Sequence, residues 1–304
     1  MRTLVIINPA AGGGLAAETV AGRIGSRLKA DIRVTEAPGH AASLASAAAS
    51  SGFDRVVAAG GDGTVGEVAS GLYGPQFPGA EELTGGRPEM GIVPLGTGND
   101  LARSLDIPLD VEAATEVVRR GRAVPLDLIE ATGGKGGGMR RIVANATVAG
   151  FCGRIGDRMS AGFRRRWGRL AYPVAALREI GELRSHVVRA QADGRSIETP
   201  AFMVIVANGR FAGGRIPLAP SARTDDGKLD LVIIEARGLV RLAPLVPWVM
   251  RGHHVGRPGV RCLQAARLEL ASDPPMWMNV DGETWCAGAA SFQVLPAALR
   301  VIAP

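Results

Sequence analysis

The chain has 304 residues, 46% of them hydrophobic and 21% charged, which is the balance of a globular protein large enough for two domains. No apolar run reaches the roughly 18 residues of a membrane span, and three widely spaced cysteines disfavour a disulfide framework or a zinc site. The formal net charge is +6, and most of the positive charge is arginine, whose guanidinium group suits phosphate. No nucleic-acid-binding motif accompanies this charge, so we expect a cytoplasmic protein with no nucleic-acid partner.

Residues 1–125 alternate short apolar runs with helical patterns. The predicted strands are 4–7, 32–35, 55–59 and 91–94, and the predicted helices are 15–28, 41–50, 64–72, 99–105 and 110–120. Strands separated by helices are typical of a parallel sheet, which binds ligands at the carboxyl ends of its strands. We therefore predict an N-terminal α/β domain over 1–125 and expect residues 296–304 to return to it.

The pattern changes after Pro125. Residues 126–132 and 139–148 are apolar and β-branched, and the glycines between them predict a hairpin. Further strands are predicted at 185–191, 202–207, 229–235, 266–270 and 291–295, and helices at 160–182 and 239–250. We predict a mainly antiparallel, β-sandwich-like second domain over 126–295, with the active site in the cleft between the two domains.

The strongest local motif is Gly60-Gly61-Asp62-Gly63-Thr64, which follows a predicted strand and precedes a helix. Glycines let a backbone approach phosphate closely, and a helix N-terminus offers free N–H groups and a favourable dipole end. Two alternatives are a tight turn and a dinucleotide-binding fingerprint, Gly61-x-Gly63-x-x-Gly66. The fingerprint belongs after the first strand with an acid ending the next strand, and this motif meets neither condition. Asp62 would repel a phosphate unless Mg²⁺ lay between them.

Two further strand ends carry glycine-rich loops. Residues 8–14 follow the first strand and lack the Lys-Ser/Thr ending of a Walker A loop, so a structural turn is an equal alternative there. Gly96-Thr97-Gly98-Asn99-Asp100 follows the fourth strand, and Arg103 lies one turn beyond Asn99, where it could contact a phosphate or a surface carboxylate. Because the loops share the carboxyl edge of one sheet, they are expected to converge, with Asn99, Asp100 and Arg103 near the ligand.

These loops, with Asp226-Gly227-Lys228 and Val280-Asp281-Gly282-Glu283, give the sequence a specific resemblance. It resembles the diacylglycerol kinase-type lipid kinases, the bacterial branch that includes sphingosine and ceramide kinase relatives, over nearly the whole chain. The Gly-Gly-Asp-Gly motif alone is shared with NAD kinases and resembles the phosphofructokinase loop. The two later motifs make the lipid-kinase interpretation the specific one.

The resemblance implies roles for individual residues. Glu283 corresponds to the family's proton acceptor, and Asp62 and Asp127 correspond to carboxylates of its magnesium–acceptor network. The backbone carbonyls of Arg223 and Lys228, with the Asp226 side chain, correspond to a structural Mg²⁺ site. The implied ATP-binding residues are Asn8, Pro9, Ala10, Ala11, Gly12, Thr35, Gly61, Asp62, Gly63, Thr64, Val65, Gly66, Glu67 and Thr97.

The sequence departs from the family pattern in the first loop and at Gly66. The family often has Ser and a nearby Lys where this chain has Ala11 and Gly13, and often has Asn at the Gly66 position. These departures leave open how the outer phosphates are held, because no first-loop lysine is present. They do not affect the reaction type that the other motifs imply.

The resemblance implies an ATP- and Mg²⁺-dependent kinase that phosphorylates the hydroxyl of diacylglycerol, or of ceramide or a sphingoid base, in the second domain. A NAD kinase-like enzyme and a non-catalytic nucleotide or lipid sensor are the alternatives. Residues 160–182 carry apolar side chains at helical spacing among several arginines, which predicts either peripheral contact with a membrane or a helix docked on the sheet. Residues 242–250 either line a lipid entrance or belong to the core. The sequence does not decide whether the protein forms a homodimer.

Overall fold

A computed structural model describes residues 1–11, 16–74, 86–133, 138–150, 184–238, 242–280 and 283–304, without the side chains of 283–285 and 287. The helix predicted at 160–182 and the expected site residue Gly12 lie outside these ranges. The chain divides into two compact units. The first unit contains 1–128, 224–227 and 295–304, and the second contains 129–223 and 228–294.

The first unit is built from alternating strands and helices close to the predicted positions. Its elements are β1 Thr3–Ile7, α1 Ala17–Gly25, β2 Asp31–Val34, α2 His40–Ser50, β3 Arg55–Gly60, α3 Asp62–Tyr73, β4 Glu89–Pro94, α4 Asp100–Ser104 and α5 Val111–Arg120. Every residue of β1 and β3 is buried, as expected for strands covered by helices on both faces. Their continuous apolar runs therefore predict their positions well.

The strands of the first unit pair in parallel in the order β2-β1-β3-β4. The end of the chain adds to β4, where Val301 pairs in parallel with Met90. The chain runs outward in opposite directions from β1, to β2 on one side and to β3 on the other. In open α/β sheets, ligands bind at such a reversal point, beyond the carboxyl ends of the strands. The loops after β1 and β3 lie at this point.

The second unit is rich in antiparallel strands. Its elements are β5 Arg122–Gly133, β6 Met139–Val143, β7 Ala146–Gly150, β8 His186–Ala192, β9 Arg195–Ala207, β10 Leu229–Glu235, a 3-10 helix Ala243–Leu245, α6 Val246–Met250, β11 Val260–Ala265, β12 Arg267–Val280 and β13 Glu283–Ala303. The first residues of β5 and the last residues of β13 belong to the first unit. Two long strands organise the second unit, because β9 and β12 each pair with β8 along one part and with β7 along another.

Three sequence expectations in the second unit are corrected. The strand predicted at 139–148 is divided at Ala144-Asn145, where the Asn145 carbonyl accepts the N–H groups of Asn208 and Gly209. The short strands predicted at 266–270 and 291–295 are parts of the 14-residue β12 and the 21-residue β13. Strand β11 was not predicted. Pro274 and Pro275 indicate a break, but the ladder continues past them through a register shift between Ala271 and Met276.

The core of the second unit has two layers on opposite faces of β9 and β10. Val204, Val206, Leu231 and Ile233 face a large cluster formed by the strands. Ile205, Val232 and Ile234 face a second cluster. The cover of that second cluster is the segment around Leu218 together with Leu242, Leu245 and Val249. Burial on both faces explains why every residue of β10 is buried.

Candidate functional site

The loops that follow β1, β3 and β4 contact one another in the first unit. The Asn8 side chain spans the first two loops, because its Nδ2 donates to Thr64 Oγ1 at 2.9 Å and its Oδ1 accepts the Ala10 N–H at 2.9 Å. The Asn8 N–H donates to the Ala59 carbonyl at 2.9 Å. Asn8 is therefore the residue that fixes the first loop against the start of α3.

The second and third loops approach each other through backbone. A Cβ at Gly96 would lie 2.6 Å from Gly61 Cα and 2.9 Å from Asn99 Oδ1, and a Cβ at Gly60 would overlap the Thr64 side chain. Gly96 is thus required for packing between the two loops, and Gly60 for the tight turn from β3 into α3, roles that the sequence analysis did not assign. Gly63 differs, because a Cβ there would meet no heavy atom within 4 Å. Gly63 is exposed in the first turn of α3, where free backbone N–H groups are available.

The Asp62 carboxylate joins the second loop to the third. Its Oδ2 accepts the Asn99 N–H at 2.8 Å and its Oδ1 accepts the Asp100 N–H at 2.6 Å, so it lies at the N-terminus of α4. Burial raises the pKa of Asp62 above its ordinary value, and these backbone hydrogen bonds partly oppose that effect. The N–H groups at the start of α4 therefore stabilise the Asp62 carboxylate in part, and they position it between Gly61 and Gly63.

Asn99 organises the third loop internally. It adopts a left-handed conformation with φ of 54°, and its side chain accepts the Gly96 N–H at 2.9 Å and donates to the Gly96 carbonyl at 2.8 Å. Arg103 Nε donates to the Gly98 carbonyl at 3.0 Å, so its guanidinium group supports the same loop. Phosphate contact by Asn99, Asp100 or Arg103 stays a prediction.

The other predicted nucleotide-binding residues fall into distinct environments. The exposed ones are Pro9, Ala10 and Thr97, whereas Thr35, Thr64, Val65 and Gly66 are buried. The Thr35 N–H donates to the Ile7 carbonyl at 2.9 Å, which places Thr35 beside the first loop. Glu67 Oε2 accepts the Ala41 N–H at 3.1 Å and therefore caps α2. The structure supplies a helix-capping role for Glu67 that the sequence analysis missed.

Asp127 is 2% exposed and connects three segments of the first unit. Its Oδ2 accepts the Gly227 N–H and its Oδ1 accepts the Ala297 N–H, each at 2.7 Å. Its own N–H donates to the Thr224 carbonyl at 2.7 Å. Asp127 therefore holds the 224–227 segment and the returning C-terminal segment in place, a role distinct from the magnesium contact predicted for it.

The residues predicted to hold a structural Mg²⁺ lie on and beside the 224–227 segment. Arg223 and Lys228 are exposed at its two ends, and Asp226 is half-buried within it. In the part of the chain that the structure describes, no cluster of three His, Cys, Asp or Glu side chains has the arrangement of a metal site. The predicted set supplies one carboxylate and two backbone carbonyls instead, and these hard oxygen donors suit Mg²⁺.

Glu283 begins β13, where it pairs with Val280 of β12. Its side chain lies outside the described part of the structure, as do Asp281 and Gly282. The register of β12 with β13 therefore fixes the backbone position of Glu283 at the start of β13. The predicted role of its carboxylate stays a prediction.

Residues 242–250 are divided between core and surface. Leu242 and Leu245 pack against the second cluster and, with Pro244, line a cavity of about 350 Å³ whose other walls include Glu235 and Arg237. Arg237 and Arg261 donate to the buried Glu235 carboxylate at 2.5 and 2.6 Å. The ion pair with Arg261, followed by that with Arg237, lowers the pKa of Glu235 although burial opposes this. Among the described helices, none is both long and apolar enough to cross a membrane.

Comparison with known proteins agrees with this two-part organisation. Residues 2–131 match the diacylglycerol kinase catalytic domain, and residues 136–303 match the YegS C-terminal NAD kinase beta sandwich-like domain. The chain is 32% identical over 279 residues to a Xanthomonas oryzae protein named Probable lipid kinase YegS-like, covering 91% of this chain and 87% of that protein. It is 27% identical over 307 residues to a diacylglycerol kinase of Staphylococcus epidermidis, covering 100% and 92%.

A solved structure shows the same fold. The crystal structure of a diacylglycerol kinase from Bacillus anthracis matches with a TM-score of 0.78 and 22% sequence identity, over 100% of this chain and 97% of that one. The two proteins therefore share an N-terminal α/β domain and a C-terminal β-sandwich-like domain.

Proposed function

Because the chain belongs to the diacylglycerol kinase family of lipid kinases, we propose that it transfers the γ-phosphoryl group of ATP to the free hydroxyl of diacylglycerol. Members of this family are phosphotransferases with an alcohol acceptor. The observation that carries the proposal is the convergence of three glycine-rich loops at the carboxyl edge of the parallel sheet in the first unit.

The loops supply a phosphate site without a Walker lysine. Gly63 leaves the start of α3 open to a ligand, and the first-turn N–H groups carry a partial positive charge. Asn8, Asp62 and Asn99 hold this surface in place through hydrogen bonds that need no ligand. The ATP phosphates bind against Gly61–Thr64, and Thr97 and Ala10 lie on the exposed side of the neighbouring loops.

Mg²⁺ completes the proposed cofactor set. The Asp226 carboxylate with the Arg223 and Lys228 carbonyls would hold a structural ion, and Asp62 would face the ion that accompanies ATP. When bound, Mg²⁺ neutralises the charge that builds on the transferring phosphoryl group. Asp127 contributes indirectly, because its bond to the Gly227 N–H fixes the loop that carries Asp226.

Glu283 is the proposed general base. The acceptor hydroxyl oxygen bonds to the γ-phosphorus as the bond from that phosphorus to the β–γ bridging oxygen breaks. ADP leaves with that electron pair, and the hydroxyl proton passes to the Glu283 carboxylate. An alcohol is barely acidic at neutral pH, so the proton moves late, when the oxygen–phosphorus bond is largely formed.

The proposal is tested by incubating the protein with γ-labelled ATP, Mg²⁺ and a fractionated lipid extract, and identifying labelled products by mass spectrometry. Label in phosphatidic acid supports diacylglycerol as the acceptor, and label in phosphorylated ceramide or a sphingoid base replaces it within the same reaction. Label in NADP⁺ when NAD⁺ is supplied would refute the lipid acceptor. ATP binding without any labelled product would identify a sensor in place of an enzyme.

A further inference from the structure

Residues 236–268 have a strongly biased charge. They contain six arginines and neither aspartate nor glutamate. Arg237 and Arg261 are compensated by Glu235, and Arg267 bridges Glu269. Among the described residues, no carboxylate pairs with Arg251 or Arg257, whose described hydrogen bonds go to backbone carbonyls. Within the described residues, two positive charges without a carboxylate partner therefore lie near α6.

The same segment presents apolar side chains to solvent. Val246, Trp248, Met250 and Val255 are 47%, 39%, 42% and 42% exposed, and we call these four residues the Trp248 ridge. The inward face of the segment is already occupied, because Leu242, Leu245 and Val249 pack on the second cluster. The ridge is therefore a second apolar face, and in the described structure it stays partly open to solvent.

The turn that follows α6 packs tightly against the rest of the second unit and holds the Trp248 ridge in place. His254 is fully buried and its Nε2 lies 3.0 Å from the Leu218 carbonyl oxygen. A Cβ at Gly252 would lie 3.0 Å from the Pro217 side chain, which shows how closely the turn after α6 packs. The His253 N–H donates to the Trp248 carbonyl at 2.8 Å, and the Arg257 guanidinium stacks 3.3 Å from the centre of the Trp248 ring. The apolar side chains are thus displayed by an ordered turn.

We propose that the Trp248 ridge docks on the surface of an anionic lipid bilayer, with Arg251 and Arg257 at the headgroups. Aliphatic side chains beside an exposed Trp and arginines are what interfacial binding uses. A second copy of this chain is a poorer occupant, because a two-fold contact would bring like-charged arginines together. The inference rests on the proposed function in one respect: the acceptor lipid resides in such a bilayer.

The test is cosedimentation of the full chain with vesicles, without ATP, so that it is independent of catalysis. The vesicles contain phosphatidylglycerol and phosphatidylcholine, or phosphatidylcholine alone. Wild type is expected to prefer the anionic vesicles. Trp248→Glu should weaken binding about tenfold or more at every salt concentration, because an interfacial apolar side chain is lost. Arg251→Gln should weaken it about fivefold and flatten its salt dependence.

Two matched variants serve as controls in the same unit. Trp277 is also an exposed tryptophan, at 42%, and Arg189 is an exposed arginine that pairs with Glu198. Trp277→Glu and Arg189→Gln should bind vesicles as wild type does. Trp248 fluorescence should be quenched by lipids with brominated acyl chains, and Trp248→Phe should lose that part of the quenching.

Three results would overturn the inference. The first is wild-type vesicle binding by Trp248→Glu, which would locate any membrane contact elsewhere on the chain. The second is a dimer that Trp248→Glu converts to a monomer in light scattering, which would make the ridge a contact between copies. The third is binding of a short DNA or RNA duplex that is lost with Arg251→Gln and unaffected by Trp248→Glu. Failure of the kinase assay with intact vesicle binding would refute the proposed function and leave the ridge standing.

Discussion

Alanine at position 63 should separate ligand binding from folding. Gly63 is the second residue of α3, it is exposed, and a Cβ there would meet no heavy atom within 4 Å. The free protein therefore has no steric reason to keep glycine at this position. A ligand does supply one, because a phosphate bound to the first-turn N–H groups would approach the same open space.

Gly63→Ala should increase the stability of the protein and decrease its affinity for ATP. Glycine within a helix is less favourable than alanine by about 0.5–1 kcal/mol, so Gly63→Ala should raise the free energy of unfolding by up to that amount. The added methyl group should weaken ATP binding by about tenfold or more, which corresponds to about 1.4 kcal/mol. Gly63→Val should weaken it further, because the branched side chain fills more of the approach.

Urea unfolding measures the stability, and titration calorimetry with ATP measures the affinity. Gly22→Ala is the matched control, since Gly22 is also exposed, lies within α1, and would meet no heavy atom within 4 Å if it carried a Cβ. That control should gain stability with unchanged ATP affinity. If folded Gly63→Val binds ATP as wild type does, the Gly61–Thr64 loop is not the phosphate site.

Three further predictions concern the proposed general base Glu283, the buried carboxylate of Asp127 and the buried side chain of His254. Glu283→Gln should lower kcat about 10²–10⁴-fold with ATP affinity and melting temperature nearly unchanged, and retention of more than about a tenth of kcat would refute the base. Asp127→Asn should lower the free energy of unfolding by about 1–3 kcal/mol, because an amide cannot accept both backbone N–H groups; unchanged urea stability would contradict this. Burial lowers the pKa of His254 below 6.5, so wild type should lose stability as the pH falls below about 6.5, where the unfolded chain binds the proton first. His254→Gln should remove that loss in urea midpoints measured at about pH 7.5 and 5.5, on either side of the ordinary histidine pKa, and an identical pH dependence in the variant would refute the assignment.

The sequence predicts β1, β3 and β4 of the first unit well because these strands are buried on both faces. The runs at β1, β3 and β4 are continuously apolar or nearly so, and each is followed by a glycine-containing loop. The hydrophobic pattern and the length of each run therefore both indicate a strand. In the second unit, β12 contains Pro274-Pro275 and alternates exposed with buried residues. The prolines indicate the end of a strand, but pairing with β13 continues the strand on both sides of them.

The hydrogen bonds within the candidate site could not be predicted from the sequence. The glycine loops could be placed at one sheet edge from the order of the elements, but the partners of Asp62 and Asp127 are backbone N–H groups. Any residue type except proline provides such a donor, so residue identities carry no signal for these bonds. The position of Ala297 beside Asp127, 170 residues away along the chain, illustrates this.

Two features of the candidate site concern its charge balance: the carboxylate of Asp62 and the lack of a lysine in the first loop. A free carboxylate among glycines that are proposed to bind phosphate would repel ATP, but both oxygens of Asp62 accept N–H groups at the start of α4. The positive end of α4 thus offsets part of the effect of burial, which still raises the pKa of Asp62. The sequence of the first loop, residues 8–14, contains neither lysine nor arginine. In the proposed reaction, charge on the outer phosphates would then be balanced by the α3 N-terminus and by a bound Mg²⁺, so we expect the proposed activity to depend strongly on that cation.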